Sequence, residues 1–308
     1  MEKRLLNCEA SDFINMSAEG LKSAIYASEG RTILTEAAAP LQPVVDGITN
    51  AEIAKFAGAD LILLNAFDVI EPVINGIDEE EEYPVKKLKE LVGRPVGVNL
   101  EPINDSIDLM DQREIINKGR YALEENYIRA QELGFDFICL TGNPGTGVAN
   151  SEIIKAIKVA KKKFNGLIIA GKMHSSGVDE PVIDKNTVEQ FIEAGSDVLL
   201  LPAVYTVPGF DTEDLKNMVK IVQKHNKSQT DPSRKVLTMT AIGTSQESSD
   251  KAVIQKIALE CKACGVDIQH IGDGGFSGLT LYQNINTLGN AIRGERHQLR
   301  MRARSIKR

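Results

Sequence analysis

Several polar side chains stand where short apolar runs end, and their types fit proton transfer and carbonyl chemistry. Glu36 closes RTILTE (31–36), Glu101 closes PVGVNLE (95–101), Lys172 closes GLIIAGK (166–172), and His174 follows two residues later. A histidine exchanges protons near neutral pH, and a carboxylate can act as its acid/base counterpart. A lysine beside Glu36 or Glu101 can clamp an anionic substrate; desolvated, its lowered pKa suits a Schiff base with a carbonyl. Asn65, Asn99, Thr141 and Asn143, at or beside run ends, add amides and a hydroxyl that can orient a substrate. His270 lies on the last run, with Asp273 just beyond it. Gathering two carboxylates, a lysine and a histidine in one place costs roughly several kcal/mol in desolvation unless the charges are paired or used.

Three glycine-rich loops follow such runs: TGNPGTGVAN (141–150), AIGTSQ (241–246) and GDGGFSG (272–278). Backbone N–H groups at a helix start hold anions well, and in α/β barrels the loops after strands seven and eight often hold a phosphate. Gly243, Thr244, Ser245, Gly274 and Gly275 are therefore the expected cradle. The plain alternative is that these glycines only turn the chain at strand ends.

Positioning these residues takes a regular scaffold. The apolar runs are RTILTE, ADLILLN (59–65), PVGVNLE, FDFICLT (135–141), GLIIAGK, SDVLLLP (196–202), KVLTMTA (235–241) and VDIQHIG (266–272), each followed by a helical pattern. Their spacing fits a strand, a crossover helix and loops, and near-continuous apolar strands suit a parallel sheet covered on both faces. Eight such units predict a closed (β/α)8 TIM barrel over residues 1–308, read as one domain. A doubly wound open sheet is the rival, but it usually shows a Gly-rich turn after its first strand, where this chain has Glu36-Ala-Ala-Ala-Pro40. Residues 1–30 form an N-terminal extension, with a helix expected over 17–29 closing the barrel's bottom, and residues 288–308 form a basic C-terminal helix. On a period of two, Ile168, Ala170, Lys172 and His174 share a face, as do Gly97, Asn99 and Glu101; if these faces point inward, the candidates converge on one mouth. The long stretches 66–82 and 102–117 are expected to cover it.

The chain carries 36 Lys and Arg against 43 Asp and Glu, a net charge of −7. Its last 21 residues hold seven bases and one acid, so the remainder stands at −13. So acidic a body repels a nucleic-acid backbone, and no run reaches the roughly 20 apolar residues of a membrane span. Arg293, Arg296, Arg300 and Arg304 fall at helical intervals, one basic stripe expected to dock on an acidic neighbour, either this barrel or a second copy in a homo-oligomer. Four cysteines are too few for a disulfide framework and no secretory signal leads the chain, so a cytoplasmic location is expected. Cys261 and Cys264 read as buried helix residues, and the run Glu79–Glu82 as a solvated loop.

Taken together, NLEP (99–102), TGNPGTGV (141–148), AGKMH (170–174), GDGGFSG (272–278) and AIRGERH (291–297) resemble an uncharacterised bacterial family of TIM barrels. Members are sometimes labelled phosphoenolpyruvate phosphonomutase-like or haloacid dehalogenase-like. The dehalogenase D-x-D-x-T/V motif has no counterpart, because the first strand ends in Thr35-Glu36, and the acidic metal motifs of the mutase superfamily have no clear match.

The leading expectation is an enzyme of lyase (aldolase-like) or isomerase type, acting on a small phosphorylated or carboxylated carbonyl metabolite. Glu36, Glu101, Lys172 and His174 would move protons and polarise the carbonyl. One alternative places a divalent metal such as magnesium on the same carboxylates with His174 or His270, for a lyase or hydrolase. Another is a non-catalytic barrel that binds a metabolite or scaffolds partners.

Overall fold

A computed structural model describes residues 3–110 and 112–308. Its eight strands are β1 (Thr32–Ala38), β2 (Leu61–Asn65), β3 (Val96–Leu100), β4 (Phe137–Leu140), β5 (Leu167–Gly171), β6 (Val198–Pro202), β7 (Leu237–Ile242) and β8 (Ile268–Ile271). They run parallel in chain order, and β8 pairs back to β1 to close the barrel. The helices are α1 (Ala10–Phe13), α2 (Ala18–Tyr26), α3 (Asn50–Ala57), α4 (Pro84–Val92), α5 (Glu124–Leu133), α6 (Asn150–Lys163), α7 (Lys185–Ala194), α8 (Thr212–Ser228), α9 (Lys251–Ala263) and α10 (Tyr282–Ala303). Every apolar run in the sequence supplies one strand of the predicted barrel. Among the described residues, no helix is long and apolar enough to cross a membrane.

Because each strand is buried on both faces, its alternate residues sort into two cores. Leu34, Leu63, Phe137, Ile169, Leu200 and Met239 fill the barrel interior, and Leu5, Phe13, Leu21 and Ile25 of the N-terminal segment plug it from below. Ile33, Ile62, Val98, Ile168, Leu199 and Ile271 face the surrounding helices. The interior is filled tightly: a Cβ on Gly97 would lie 2.2 Å from the Phe137 ring. Small and large residues thus alternate between neighbouring strands.

Of the seven G-x-D triplets in the sequence, the four at 58–60, 134–136, 195–197 and 265–267 each lead into an even-numbered strand. The four glycines end helices with φ of +112°, +84°, +104° and +91°, a left-handed conformation that glycine adopts without strain. Two residues on, each carboxylate accepts a backbone N–H at the start of the preceding strand. These are Ile33 to Asp60 at 2.8 Å, Val96 to Asp136 at 2.8 Å, Ile168 to Asp197 at 3.1 Å and Thr238 to Asp267 at 2.9 Å. A charged acceptor thus satisfies strand-start donors that would otherwise be lost in the floor of the barrel.

The basic tail departs from the stripe expected of it. The backbone of α10 leaves helical geometry at Gly294 (φ +72°, ψ 160°), which resets the phase between Arg293 and the later arginines. Arg293 is fully buried, 2.6 Å from Asp60, while Arg300 and Arg304 pair with Glu9 at 3.5 and 3.8 Å. The Ser11 N–H donates to the Arg308 carbonyl at 2.8 Å, so the N-terminal extension and the tail close the same floor. Of the two acidic neighbours considered, this barrel's own underside receives the tail.

Candidate functional site

At the opposite, C-terminal end of the barrel the inward rows terminate in polar residues. Glu36 continues the row of Leu34, Asn65 that of Leu63, Asn99 and Glu101 that of Gly97, and Thr141 that of Cys139; all five are buried. An amide web ties them together. Asn65 Nδ2 donates to Asn143 Oδ1 at 2.9 Å and to Asp273 Oδ2 at 3.0 Å, and Asn99 Nδ2 donates to Asn65 Oδ1 at 3.2 Å. Strand parity therefore brings Glu36, Asn65, Asn99, Glu101 and Thr141 into one mouth, with Asn143 entering from the loop after β4.

Glu101 is held on several sides. Its Oε1 accepts from Arg120 Nη2 at 2.9 Å and from Asn143 Nδ2 at 2.7 Å, and its Oε2 accepts the Asn143 N–H at 2.8 Å. It fixes the loop after β4 and anchors Arg120 at the mouth. The described part of the 102–117 stretch lies over the loops after β4 and β5, through Met110 N–H to Gly177 O and Glu114 N–H to Gly145 O, both 2.9 Å.

The expectation for β5 needs correction. Ile168 and Ala170 belong to the outer core, and Leu167, Ile169 and Met173 to the inner one, so Lys172 continues the outward row. It is wholly buried, 3.0 Å from Glu180 Oε1, which also accepts the Asn150 N–H at the start of α6 at 2.7 Å. Burial lowers the Lys172 pKa and Glu180 pulls it back up. His174 Nδ1 accepts the Ser176 N–H at 3.0 Å, and burial with the Lys172 charge beside it pushes its pKa down to about 4. Lys172 and Glu180 tie the loop after β5 to the start of α6, behind the mouth rather than in it, and His174 holds a turn within that loop.

Another pair occupies the place expected for them. His270 follows Ile268 on the inner row of β8, is wholly buried, and brings Nε2 to 3.0 Å from Glu36 Oε2. That approach lacks hydrogen-bond angles, and neither ring nitrogen has a hydrogen-bond partner. Asp273 accepts from Asn65 and, at 2.8 Å, from the Gly275 N–H; burial and the nearby Glu36 push its pKa up to about 6. Burial also raises the pKa of Glu247, which follows β7, with a smaller contribution from Asp273. Five buried polar atoms without a hydrogen-bond partner lie at this mouth: Asn99 Oδ1, Thr141 Oγ1, Glu247 Oε2 and both nitrogens of His270.

The expected anion cradle lies beside those carboxylates. The Gly275 N–H is already taken by Asp273, Thr244 Oγ1 lies 2.6 Å from the Thr206 carbonyl, and Gly243 packs on Met173. Gly274, Thr244 and Ser245 have positive φ, the geometry of tight turns. The structure thus gives these residues a turn-forming role and sets Asp273 and Glu247 where an anion was expected. Among the described residues, no three His, Cys, Asp or Glu side chains are grouped so as to hold a metal ion.

Arg120 and Glu247 escaped the sequence reading because both lie outside the strands, where parity says nothing. His270 and Asp273 did carry a signal, since His270 shares the face of Ile268 in VDIQHIG and Asp273 follows directly after that run.

Known folds show the same barrel. An archaeal fructose 1,6-bisphosphate aldolase shares 14% identity at a TM-score of 0.52, covering 92% of this chain and 99% of its own. A Schiff base-forming fructose-1,6-bisphosphate aldolase matches with the same identity, coverage and score. A 2,3-dimethylmalate lyase of the PEP mutase/isocitrate lyase superfamily is 12% identical at a TM-score of 0.49, covering 85% of this chain and 82% of its own. Likeness at such identity establishes the barrel alone, and the haloacid dehalogenase-like label gains no support from it. A comparison with curated proteins gives no match. Residues 6–308 match the family described as a domain of unknown function, DUF7916, and the chain belongs to that family.

Proposed function

We propose that the mouth is the active site of an enzyme that moves protons on a small polar carbonyl metabolite, in lyase or isomerase chemistry. The observation that carries this reading is the set of buried, unpartnered polar atoms converging from β3, β4, β8 and the loop after β7. Each such atom costs about 1–3 kcal/mol when left unsatisfied, so a polar ligand that supplied the missing partners would be held strongly. Glu36 and His270 are the proton-transfer pair, and Asp273, titrating at about 6, is suited to deliver or hold a proton near neutral pH. Asn65, Asn99 and Asn143 orient the substrate. A carboxylate or phosphate on it is directed to Arg120, away from Asp273 and Glu247. Lys172 takes no part in the chemistry, because its row faces α6.

The test is uptake of deuterium from D2O at the carbon next to the carbonyl, followed by NMR over a panel of 2-oxo acids and sugar phosphates. Glu36→Gln and His270→Asn are each expected to slow the exchange about 10²–10⁴-fold, the usual worth of a general acid or base. Exchange that both variants retain in full would overturn the assignment. So would a Lys172→Met protein that stays folded yet loses all exchange, which would return the lysine to the mechanism. Chelation is expected to leave the rate unchanged.

A further inference from the structure

The four G-x-D carboxylates provide an internal comparison on the barrel's underside, far from the mouth. Three of them have a cation from this chain: Arg293 on Asp60 at 2.6 Å, Lys89 on Asp136 at 2.8 Å, and Lys22 and Lys161 on Asp197 at 2.9 and 3.2 Å. Asp267 is the exception. Its Oδ2 accepts the Thr238 N–H at 2.9 Å and the Thr238 hydroxyl at 3.0 Å; Oδ1 has no partner among the described residues. Burial without a counter-charge pushes its pKa up to about 6.

One difference from the third triplet is a single residue. At the third triplet, the Cβ position of Gly195 lies 3.2 Å from Lys161 Cγ on α6, so that side chain crosses the turn to reach Asp197. At the fourth, the Cβ position of Gly265 lies 3.1 Å from Gln223 Nε2 on α8. Gln223 thus stands over this turn as Lys161 does over the other, but it is neutral.

The space beside Asp267 is a groove of about 470 Å³, within the size range of small-molecule sites. Tyr26, Gln223, Lys227, Lys235 and Thr238 share its walls with Asp267. Lys235 sits 5.0 Å over the Tyr26 ring, and neither lysine forms an ion pair among the described residues. The groove therefore offers one unpaired acid on its floor and two unpaired bases on its walls.

We propose that this groove is a second binding site, which takes a small zwitterion with its ammonium group on Asp267 and its anionic group at Lys227 and Lys235. The fourth carboxylate would then receive from a ligand the cation that its three counterparts receive from the chain.

Calorimetric titration of the full chain with glycine, β-alanine and γ-aminobutyrate varies the distance between the two charges. Ethylammonium and propionate serve as single-charge controls. One of the three amino acids is expected to bind at least about tenfold tighter than either control, as expected when both charges are recognised together. Gln223→Lys, a surface change that copies Lys161, should abolish that binding and leave the melting temperature at or above that of the wild type. Asp267→Asn should weaken it as well. The proposal fails if none of the three amino acids binds, if ethylammonium alone binds as tightly as the best of them, or if binding survives unchanged in Gln223→Lys. Deuterium exchange at the mouth is read separately, so either site can fail without the other.

Discussion

His270 sits wholly buried against Glu36 with neither ring nitrogen in a hydrogen bond, and Asp273 close by is pushed to a pKa of about 6. The carboxyl of Asp273 should leave a trace in stability. In the unfolded chain an aspartate titrates near about 3.9, so between about pH 4 and 6 the folded protein binds the proton more tightly and loses that advantage as pH rises. The cost of burying the charge is absent below about pH 4 and fully present above about pH 6. Asp273→Asn should therefore raise the melting temperature at pH 7–8 and leave it unchanged below pH 4; a constant difference across that range would contradict the burial argument. The inward positions of Glu36, Asn65, Asn99, Glu101 and Thr141 could be read from strand parity. For Lys172 parity misled, because GLIIAGK is apolar at every position before its lysine and a strand buried on both faces carries no alternation to show which row points inward.

Four of the eight strand–helix elements, those leading into β2, β4, β6 and β8, are locked at the base by the same device, a glycine that ends the helix and an aspartate that satisfies the neighbouring strand. The triplets are visible in the sequence at 58–60, 134–136, 195–197 and 265–267, but their purpose emerges only when the adjacent strand start is in place. The tightest of these locks is Asp60 with Arg293, both side chains fully buried. Arg293→Met should destabilise the protein by about 3–5 kcal/mol, since it strands a buried carboxylate; Asp60→Asn with Arg293→Met should recover part of that loss. Urea unfolding of the two variants checks this, and equal midpoints would refute it. Gly97→Ala should cost about 1–3 kcal/mol through contact with the Phe137 ring, read by the same measurement. The eight strands and the helix before β1 could be recognised from apolar periodicity. The course of the tail could not, because the break at Gly294 lies inside an otherwise helical pattern and rotates Arg293 out of line with Arg300 and Arg304.

The molecule as a whole has two ends of different character: a mouth with Glu36, Asp273 and Glu247 at its rim or floor, and an underside closed by the extension and the tail. Deleting residues 293–308 should therefore cost stability before it costs any partner, because Asp60 and Glu9 lose Arg293, Arg300 and Arg304. A marked drop in melting temperature is expected, and a truncated chain that melts with the full one would show the tail to be dispensable.

The backbone contact between Ser11 and Arg308 also has a practical consequence for handling the protein. A short linker could run from Arg308 to the described N-terminal residues beside Ser11, and new ends could be opened at the exposed Glu79 and Glu80, giving a circularly permuted chain with the same strand order around the barrel. For the same reason, a surface tether attached at Arg308 would hold the underside against the support and leave the mouth open to solution.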